Sequence, residues 1–434
     1  MKKRLLSILM CLTLAATSLV GCGGGATEES TTTESTETTT ENAAESTGTT
    51  IVYWSMWEAS EPQGMAIQAA VDAFEAETGH TVDLQFKGRT GIREGLQPAL
   101  DAGTTIDLFD EDIDRVNKTW GNYLLDLEEL AAASNYEETA IAGLMGACRE
   151  VAGGTLKSIP YQPNVFAFFY NEAIFEEAGV TAVPTTWAEL LDACEKIKAA
   201  GYTPITCDDA YIMCMFGYHL GRLIDEEGVT RVVMNGEWAE EPAVLEMAKA
   251  YEELAAKGYF SETIASNVWP AAQNTELALG SAAMYLNGSW LPNEVKEMAG
   301  EDFRWGCFNY PAVDGGVTGI EAANYGAQVL AINKDSKVSA EAFELIKYIT
   351  KGEYDQKLSV DSIGIPADTS NTEWPSLLAN VKPVMDSLQT RWSWSVGSES
   401  NVDMTPVIKE NFMKLCGGQL TAQEFVDAME AASN

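Results

Sequence analysis

The chain has 434 residues, and its 65 Asp and Glu outweigh its 27 Lys and Arg to a formal net charge of −38. Such a charge repels phosphate backbones and acidic bilayer surfaces, which excludes nucleic acid as a partner and disfavours broad contact with an anionic membrane. Length alone excludes a single small core, since a chain of this size divides into domains.

The first residues read as an export signal. Lys2, Lys3 and Arg4 precede an uncharged apolar run, Leu5 to Val20. That run is too short for a comfortable bilayer span, and polar sequence follows it. Residues 1–21 are therefore expected to be a signal peptide. Leu19-Val20-Gly21-Cys22 has the form of a lipobox, in which small residues admit a signal peptidase and the Cys22 thiol takes a diacylglyceryl group. The plainer alternative is a secretory signal in which Cys22 is incidental. Residues 22–50 then form a lipidated cysteine and a disordered tether. No aromatic or large aliphatic residue occurs in 23–50, so nothing offsets the entropy of ordering that segment. As a flexible coil it would span roughly 30 Å.

From Ile51 the pattern becomes globular. Ile51 to Trp54 is a β-rich run. Met65 to Thr78 has helical spacing at Ile67, Ala70, Val71 and Phe74, with Gly79 just past its end. Thr81 to Phe86 alternates as a strand, Gly91 to Ala102 reads as a helix, and Ile106 to Phe109 as a strand. This alternation predicts an α/β fold with a parallel sheet. Ligands then sit beyond the carboxyl ends of the strands, at Ser55 to Glu61 and Asp110 to Arg115. A second lobe is expected to start near Gln162, with a strand at Phe166 to Tyr170 and a helix at Asn171 to Ala178. Thr186 and Glu189 form a capping box. A strand is expected at Thr203 to Cys207. Further helices are predicted over Pro242 to Lys257, Trp269 to Leu279, Ser339 to Thr350 and Thr421 to Ala432. Beyond Cys11 and Cys22, six cysteines remain: Cys148, Cys194, Cys207, Cys214, Cys307 and Cys416. They lack C-x-x-C spacing, and a core this large does not need disulfides, so buried free thiols are expected; a Cys207–Cys214 bridge stays open as an alternative.

Taken in order, a set of short segments resembles the family 1 extracellular solute-binding proteins, the group of the maltose-binding proteins and multiple-sugar receptors. They are Phe74-Glu75-Ala76-Glu77-Thr78-Gly79, Asp107-Leu108-Phe109, Ile159-Pro160-Tyr161, Tyr170-Asn171-Glu172, Pro184-Thr185-Thr186-Trp187, Ala282 to Trp290, Ala331-Ile332-Asn333-Lys334 and Gly364-Ile365-Pro366. The resemblance covers nearly the whole chain after the tether. It implies a two-lobed, type II periplasmic-binding-protein-like fold whose interleaved lobes close about a hinge. Lobe 1 is expected at 51–161 and 326–370, and lobe 2 at 162–325 and 371–434. Crossings are expected near Tyr161 to Phe166, Glu321 to Val329 and Thr369 to Trp374. The implied role is the substrate-binding component of an ABC importer. It would capture a carbohydrate outside the cell and deliver it to the permease subunits, as a monomer held on the extracytoplasmic face of a Gram-positive membrane by lipid on Cys22.

A sugar pocket needs polar side chains for hydroxyls and aromatic rings for the C–H face. In the first loop these are Trp57 and Glu58. In the second they are Asp110, Glu111, Asp114 and Arg115, where the resemblance implies an aromatic residue at the position held by Glu111; the alternative is a solvated acidic face. Trp290 matches the family's stacking tryptophan, against the alternative of core packing. Trp392 and Trp394 face one side if extended, as a platform or a plug. Tyr161, Trp269 and Tyr325 are hinge or cleft candidates, and Asp208 and Asp209 end a strand that reaches toward the cleft.

No catalysis, cofactor or metal is expected. His80 and His219 are the only histidines. His80 is expected to be exposed and His219 to lie on a helix face. Neither has a nucleophile motif beside it. Cys207, Cys214 and His219 match no common zinc spacing. No P-loop motif is present, so ATP hydrolysis belongs elsewhere. Two alternatives remain: a receptor for a non-sugar solute, and a surface glycan-active enzyme using two of the many carboxylates.

Overall fold

The computed structural model describes residues 48–433. The expected signal peptide, Cys22 and most of the tether lie outside them. The first strand, β1 (Thr50–Ser55), opens a parallel group with β2 (Thr81–Phe86) and β3 (Leu108–Asp112). The helix Pro62–Thr78 joins β1 to β2. Pro62 sits where a helix can spare its N–H, and Gly79 ends the helix at φ 73°, a left-handed value that glycine adopts freely. Ile67, Ala70, Val71 and Phe74 form its buried stripe, as the spacing predicts.

Two long strands follow from distant parts of the chain. They are β4 (Ile159–Asn171) and β8 (Ala322–Ile332). Between them in sequence lie β5 (Thr203–Thr206), β6 (Ala282–Gly288) and β7 (Trp305–Phe308); β9 (Thr390–Trp392) comes last. The strand order is β2-β1-β3-β8-β4-β6-β5, with β7 on β4 and β9 on β8. Only β1–β2, β1–β3, β5–β6 and β8–β9 are parallel; every pairing of β4, and that of β3 with β8, is antiparallel. The sheet is therefore mixed, where the strand–helix alternation had suggested parallel pairing alone.

β4 and β8 each belong to two cores. Ile159 and Tyr161 pack with Ile51, Phe74, Leu108 and Phe343 in one; Val165 to Phe169 pack with Tyr218, Tyr251, Leu286 and Phe412 in the other. On β8, Val329 to Ile332 belong to the first core, and Ala322 and Ala323 to the second. β4 pairs with β8 from Ile159 to Val165 and with β6 from Phe166 to Tyr170. The register shifts between Tyr161 and Pro163, and Gln162 there has φ 46°. Pro163 has no N–H to offer the ladder, and a bulge accommodates it.

The chain passes between the cores once more. Leu358 lies in the first core and Leu378 in the second. Between them, Asp355 accepts from Ala367 N (2.8 Å), Asp368 N (3.0 Å) and Asn371 Nδ2 (2.8 Å), and Gln356 Nε2 donates to Glu373 O at 3.0 Å. The crossing is spread out: Ile363 and Ile365 already pack with the second core, Asn371 and Glu373 still bond back to Asp355 and Gln356, and Trp374 packs on the second core.

Helix ends follow local chemistry. Thr186 and Glu189 make the full capping box of the helix Trp187–Ala199. The helix Ile212–Asn235 carries His219, which is buried at its centre rather than on an open face. Burial pushes that imidazole down to about 3, with nearby Arg222 adding to the effect. The six cysteines are free and buried, Cys207 and Cys214 among them. Among the described residues no helix is long and apolar enough to cross a membrane.

Replacing Asp355 with alanine would strand two buried backbone N–H groups. Each stranded donor costs about 1–3 kcal/mol. Urea denaturation of Asp355→Ala should show a loss of about 2–4 kcal/mol; a midpoint equal to the parent's would contradict this role.

Candidate functional site

The carboxyl ends of β1 and β3, the switch point of β4, and the ends of β5, β6 and β9 supply the loops that carry most of the expected ligand residues. On the first core's side, Asp110 is the hub. Its carboxylate is fully buried and accepts from Met56 N (2.8 Å), Ser55 Oγ (3.3 Å) and the Tyr161 hydroxyl. Tyr161 in turn accepts from Trp57 Nε1 at 2.8 Å. Burial pushes the Asp110 carboxyl up to about 6, against the pull of those donors. Trp57, Asp110 and Tyr161 are thus one buried chain that fixes the first loop to the crossing strand. The Arg89 guanidinium lies 4.7 Å from the Trp57 ring centroid and binds Glu61 at 2.8 Å. Glu58 is exposed, and its backbone N donates to Glu61 Oε2 at 2.8 Å.

The rest of the second loop is tied up in ion pairs. Glu111 is fully buried between Arg93 (2.6 Å) and Arg115 (3.1 Å) and also accepts from Asp112 N. Asp114 binds Lys118 at 3.0 Å and Arg391 at 2.8 Å. Burial alone would raise the Asp114 carboxyl, but the Arg391 and Lys118 charges hold it below the usual range. Arg391 stands on β9 and also donates to Tyr325 O at 2.9 Å, so this pair links the two core regions beside the hinge strands. The Tyr325 side chain is half-buried.

On the second core's side, Phe166 is the first β4 residue that pairs with β6. Its ring is met by Tyr211 (5.5 Å), Trp290 (5.7 Å) and Trp394 (5.4 Å). Trp290 Nε1 donates to Tyr211 Oη at 3.2 Å. The Trp290 ring folds back over Gly288, where a Cβ would lie 2.3 Å from it, so that turn requires glycine. Trp394 is 38% exposed and Trp269 43%, while Trp290 is half-buried. Asp209 receives the Trp269 backbone N at 3.0 Å and faces Lys409 at 3.7 Å. Asp208 is buried and turned inward, accepting from Ala210 N, Tyr211 N and the Tyr285 hydroxyl.

Trp392 and Trp394 do not share a face. β9 ends at Trp392, and the turn Trp394–Gly397 follows, with Ser395 and Val396 at φ 55° and 52°. Trp392 is a core plug against Tyr218 and the Arg222 guanidinium, 4.6 Å from its ring centroid. Trp394 alone faces out. Phe166, Tyr211, Arg89, Asn274 and Glu294 belong to this region and escaped sequence reasoning. The Asp208-Asp209-Ala210-Tyr211 turn after β5 was the available signal for Tyr211. Among the described residues no group of three or more His, Cys, Asp or Glu is placed to hold a metal ion.

A mixed sheet whose two longest strands serve two cores, with aromatic faces at the switch point, is the architecture of a two-lobed binding protein. Residues 58–356 match the family described as bacterial extracellular solute-binding protein, and the chain belongs to it. A probable ABC transporter-binding protein of Deinococcus radiodurans is 25% identical over 319 residues, covering 67% of this chain and 70% of that one. The diacetylchitobiose binding protein of Streptomyces coelicolor is 27% identical over 279 residues, 57% of this chain and 58% of that one. The solved structure of a probable secreted solute-binding lipoprotein from Streptomyces coelicolor superposes with a TM-score of 0.74 at 16% identity, covering 88% of this chain and 98% of that one. The fold is the type II periplasmic-binding-protein fold.

The raised Asp110 gives a signed pH dependence. Its proton is held more tightly in the folded chain than at the usual carboxylate value of about 3.9. Its stabilising contribution is therefore complete below pH 4 and is lost as pH rises through about 6. The stability of the parent relative to Asp110→Asn should fall by up to about 3 kcal/mol between pH 4 and pH 7. Urea midpoints at each pH read this directly, and a constant difference would contradict it.

Proposed function

We propose that the chain is the substrate-binding component of an ABC importer and that it captures a carbohydrate on the extracytoplasmic face of a membrane. The observation that carries this reading is the ring cluster on Phe166, with Trp394 open to solvent at the point where β4 leaves one core for the other. Flat apolar faces beside carboxylates and amides suit a sugar, which has a C–H face and a rim of hydroxyls. The diacetylchitobiose binding relative supports the ligand class. The lipobox at Cys22 supports a lipid anchor and residues 23–50 a tether, and the lipoprotein named among the solved structures is in keeping with both.

In this reading lobe 1 comprises residues 51–161 and 326–370, and lobe 2 comprises 162–325 and 371–434. The third crossing is drawn out over 363–374, since Ile363 and Ile365 touch the second core while Asn371 and Glu373 bond to Asp355 and Gln356. Trp57, Trp269, Trp290 and Trp394 are the contact aromatics, and closure about β4 and β8 buries the ligand between them. Closure is favoured only by the extra contacts that the closed form makes with the ligand. The closed monomer then docks on the permease subunits. Binding leaves the ligand chemically unchanged.

The test is a thermal-shift screen of the chain from residue 23 onward against oligosaccharides, monosaccharides, polyols, amino acids and polyamines. A melting temperature that climbs with the concentration of a sugar supports the reading. A rise for some other solute, with silence across the sugars, overturns the carbohydrate assignment. Against a sugar that binds, Trp394→Ala should weaken affinity about ten-fold or more, a loss of about 1.4 kcal/mol, with the melting temperature of the free protein nearly unchanged. Equal losses in both would mark Trp394 as a packing residue. Replacing Cys22 with serine should release the chain from the membrane fraction into the medium.

A further inference from the structure

The helix Leu291–Ala299 starts directly after Trp290, and its first turn carries Glu294. This carboxylate is open to solvent, yet protein crowds it from several sides. Burial is the largest influence on it and pushes it up to about 7. The side chains of Asn274 and Trp269 pull it down, as does the Arg89 charge from the first core's side, and Asp208 adds like charge. Glu294 therefore lies within electrostatic reach of both faces.

Its neighbourhood is unfinished. Asn274 is 6% exposed, and its Oδ1 has no partner. It stands on the helix Ala272–Ala278, which packs against the helix bearing Glu294. Gln273 beside it is fully buried, with neither amide atom paired. Buried amides in folded proteins are nearly always satisfied, by protein, by water or by ligand. Above about pH 7, where Glu294 is ionised, its carboxylate and the Asn274 amide oxygen both accept and neither donates. A group that pairs with Glu294 and Asn274 Oδ1 must bring N–H or O–H.

Arg89, the cation whose charge reaches Glu294, is held by Glu61 at 2.8 Å. A carboxylate or phosphate arriving at this corner would meet the like charge of Glu294 and Asp208. Recognition of such anions depends on charge-assisted donors.

Resting on the carbohydrate reading above, we infer that Glu294, together with Asn274, sets the ligand class: the cleft takes a glycan that presents hydroxyl or amine donors at this corner and rejects one that presents a carboxylate or phosphate there. Selection works both by the donors that the two acceptors require and by the charge that they repel.

Calorimetric titration of the chain from residue 23 onward tests this with four probe groups: neutral malto-, xylo- and chito-oligosaccharides; chitosan oligomers; oligogalacturonides; and glycerol 3-phosphate. Neutral or amine-bearing glycans should bind, with the anionic probes at least a hundred-fold weaker. Glu294→Gln should weaken a neutral ligand about ten-fold and an amine-bearing ligand by more. Glu294→Lys should narrow the gap to the anionic probes. Because Glu294 is solvent-accessible, both variants should fold, with urea midpoints no lower than the parent's. Anionic probes binding as tightly as neutral ones, or an affinity unchanged in Glu294→Gln, would overturn the inference while leaving the receptor reading intact. Silence from every glycan would overturn the carbohydrate reading, and the inference with it.

Discussion

Everything else in the molecule hangs on the antiparallel pairing of β4 with β8. Seven residues of β4, Ile159 to Val165, run beside β8, and the two strands leave one hydrophobic core together and enter the other together. A loop joining two domains bends freely in any direction. A pair of hydrogen-bonded strands resists shear and concentrates bending where the ladder is irregular. That place is Gln162 and Pro163, the register shift. The aromatic cluster lies immediately beyond it because Phe166 is three residues further along the same strand. Hinge and proposed ligand wall are therefore parts of one element.

The two sides of this hinge are built from different materials. On the first core's side the carboxylates near the crossing are already satisfied: Asp110 receives three donors, and Glu111 sits between two arginines. On the second side they are rings, with buried amides that lack partners. A satisfied polar network is rigid because each bond restrains the next. Rings present broad surface and tolerate different ligands with little rearrangement. One side thus provides a fixed frame and the other a contact surface, and the Asp114–Arg391 pair ties them beside the pivot.

Local chemistry was legible where it acts locally. The strand Thr81–Phe86 and the helix Ser339–Thr350 have the bounds that their periodicity predicts, and the Thr186–Glu189 capping box forms as read. The start of β4 was not legible, because Pro160 and Pro163 read as breakers; only the partner strand β8, more than 150 residues away, holds that stretch extended. The Trp392–Trp394 pair was misread because the extended-strand assumption ignored the turn at Ser395 and Val396, which the sequence of those residues does not announce. Glu294 was invisible for another reason. One glutamate among 65 acidic residues carries no local mark. Its distinction comes from Asn274, Trp269 and Arg89, which approach it from three other elements. Trp290 is a candidate through family resemblance alone, since nothing in its own sequence neighbourhood separates a contact ring from a packing ring.

The six buried thiols have a consequence of timing. A thiol reacts as its thiolate, and burial pushes all six upward, Cys148 to about 12. At neutral pH a thiol with such a value is ionised in about one molecule in 10⁵. Among the described residues the finished fold is therefore nearly indifferent to oxidants at cysteine, with neither bridges to lose nor reactive thiols to offer. The unfolded chain has no such protection, and its six thiols can mispair in many ways. Collapse of the cores must outrun oxidation. The hazard for this chain is thus confined to the interval before folding, and the speed of folding becomes its redox defence.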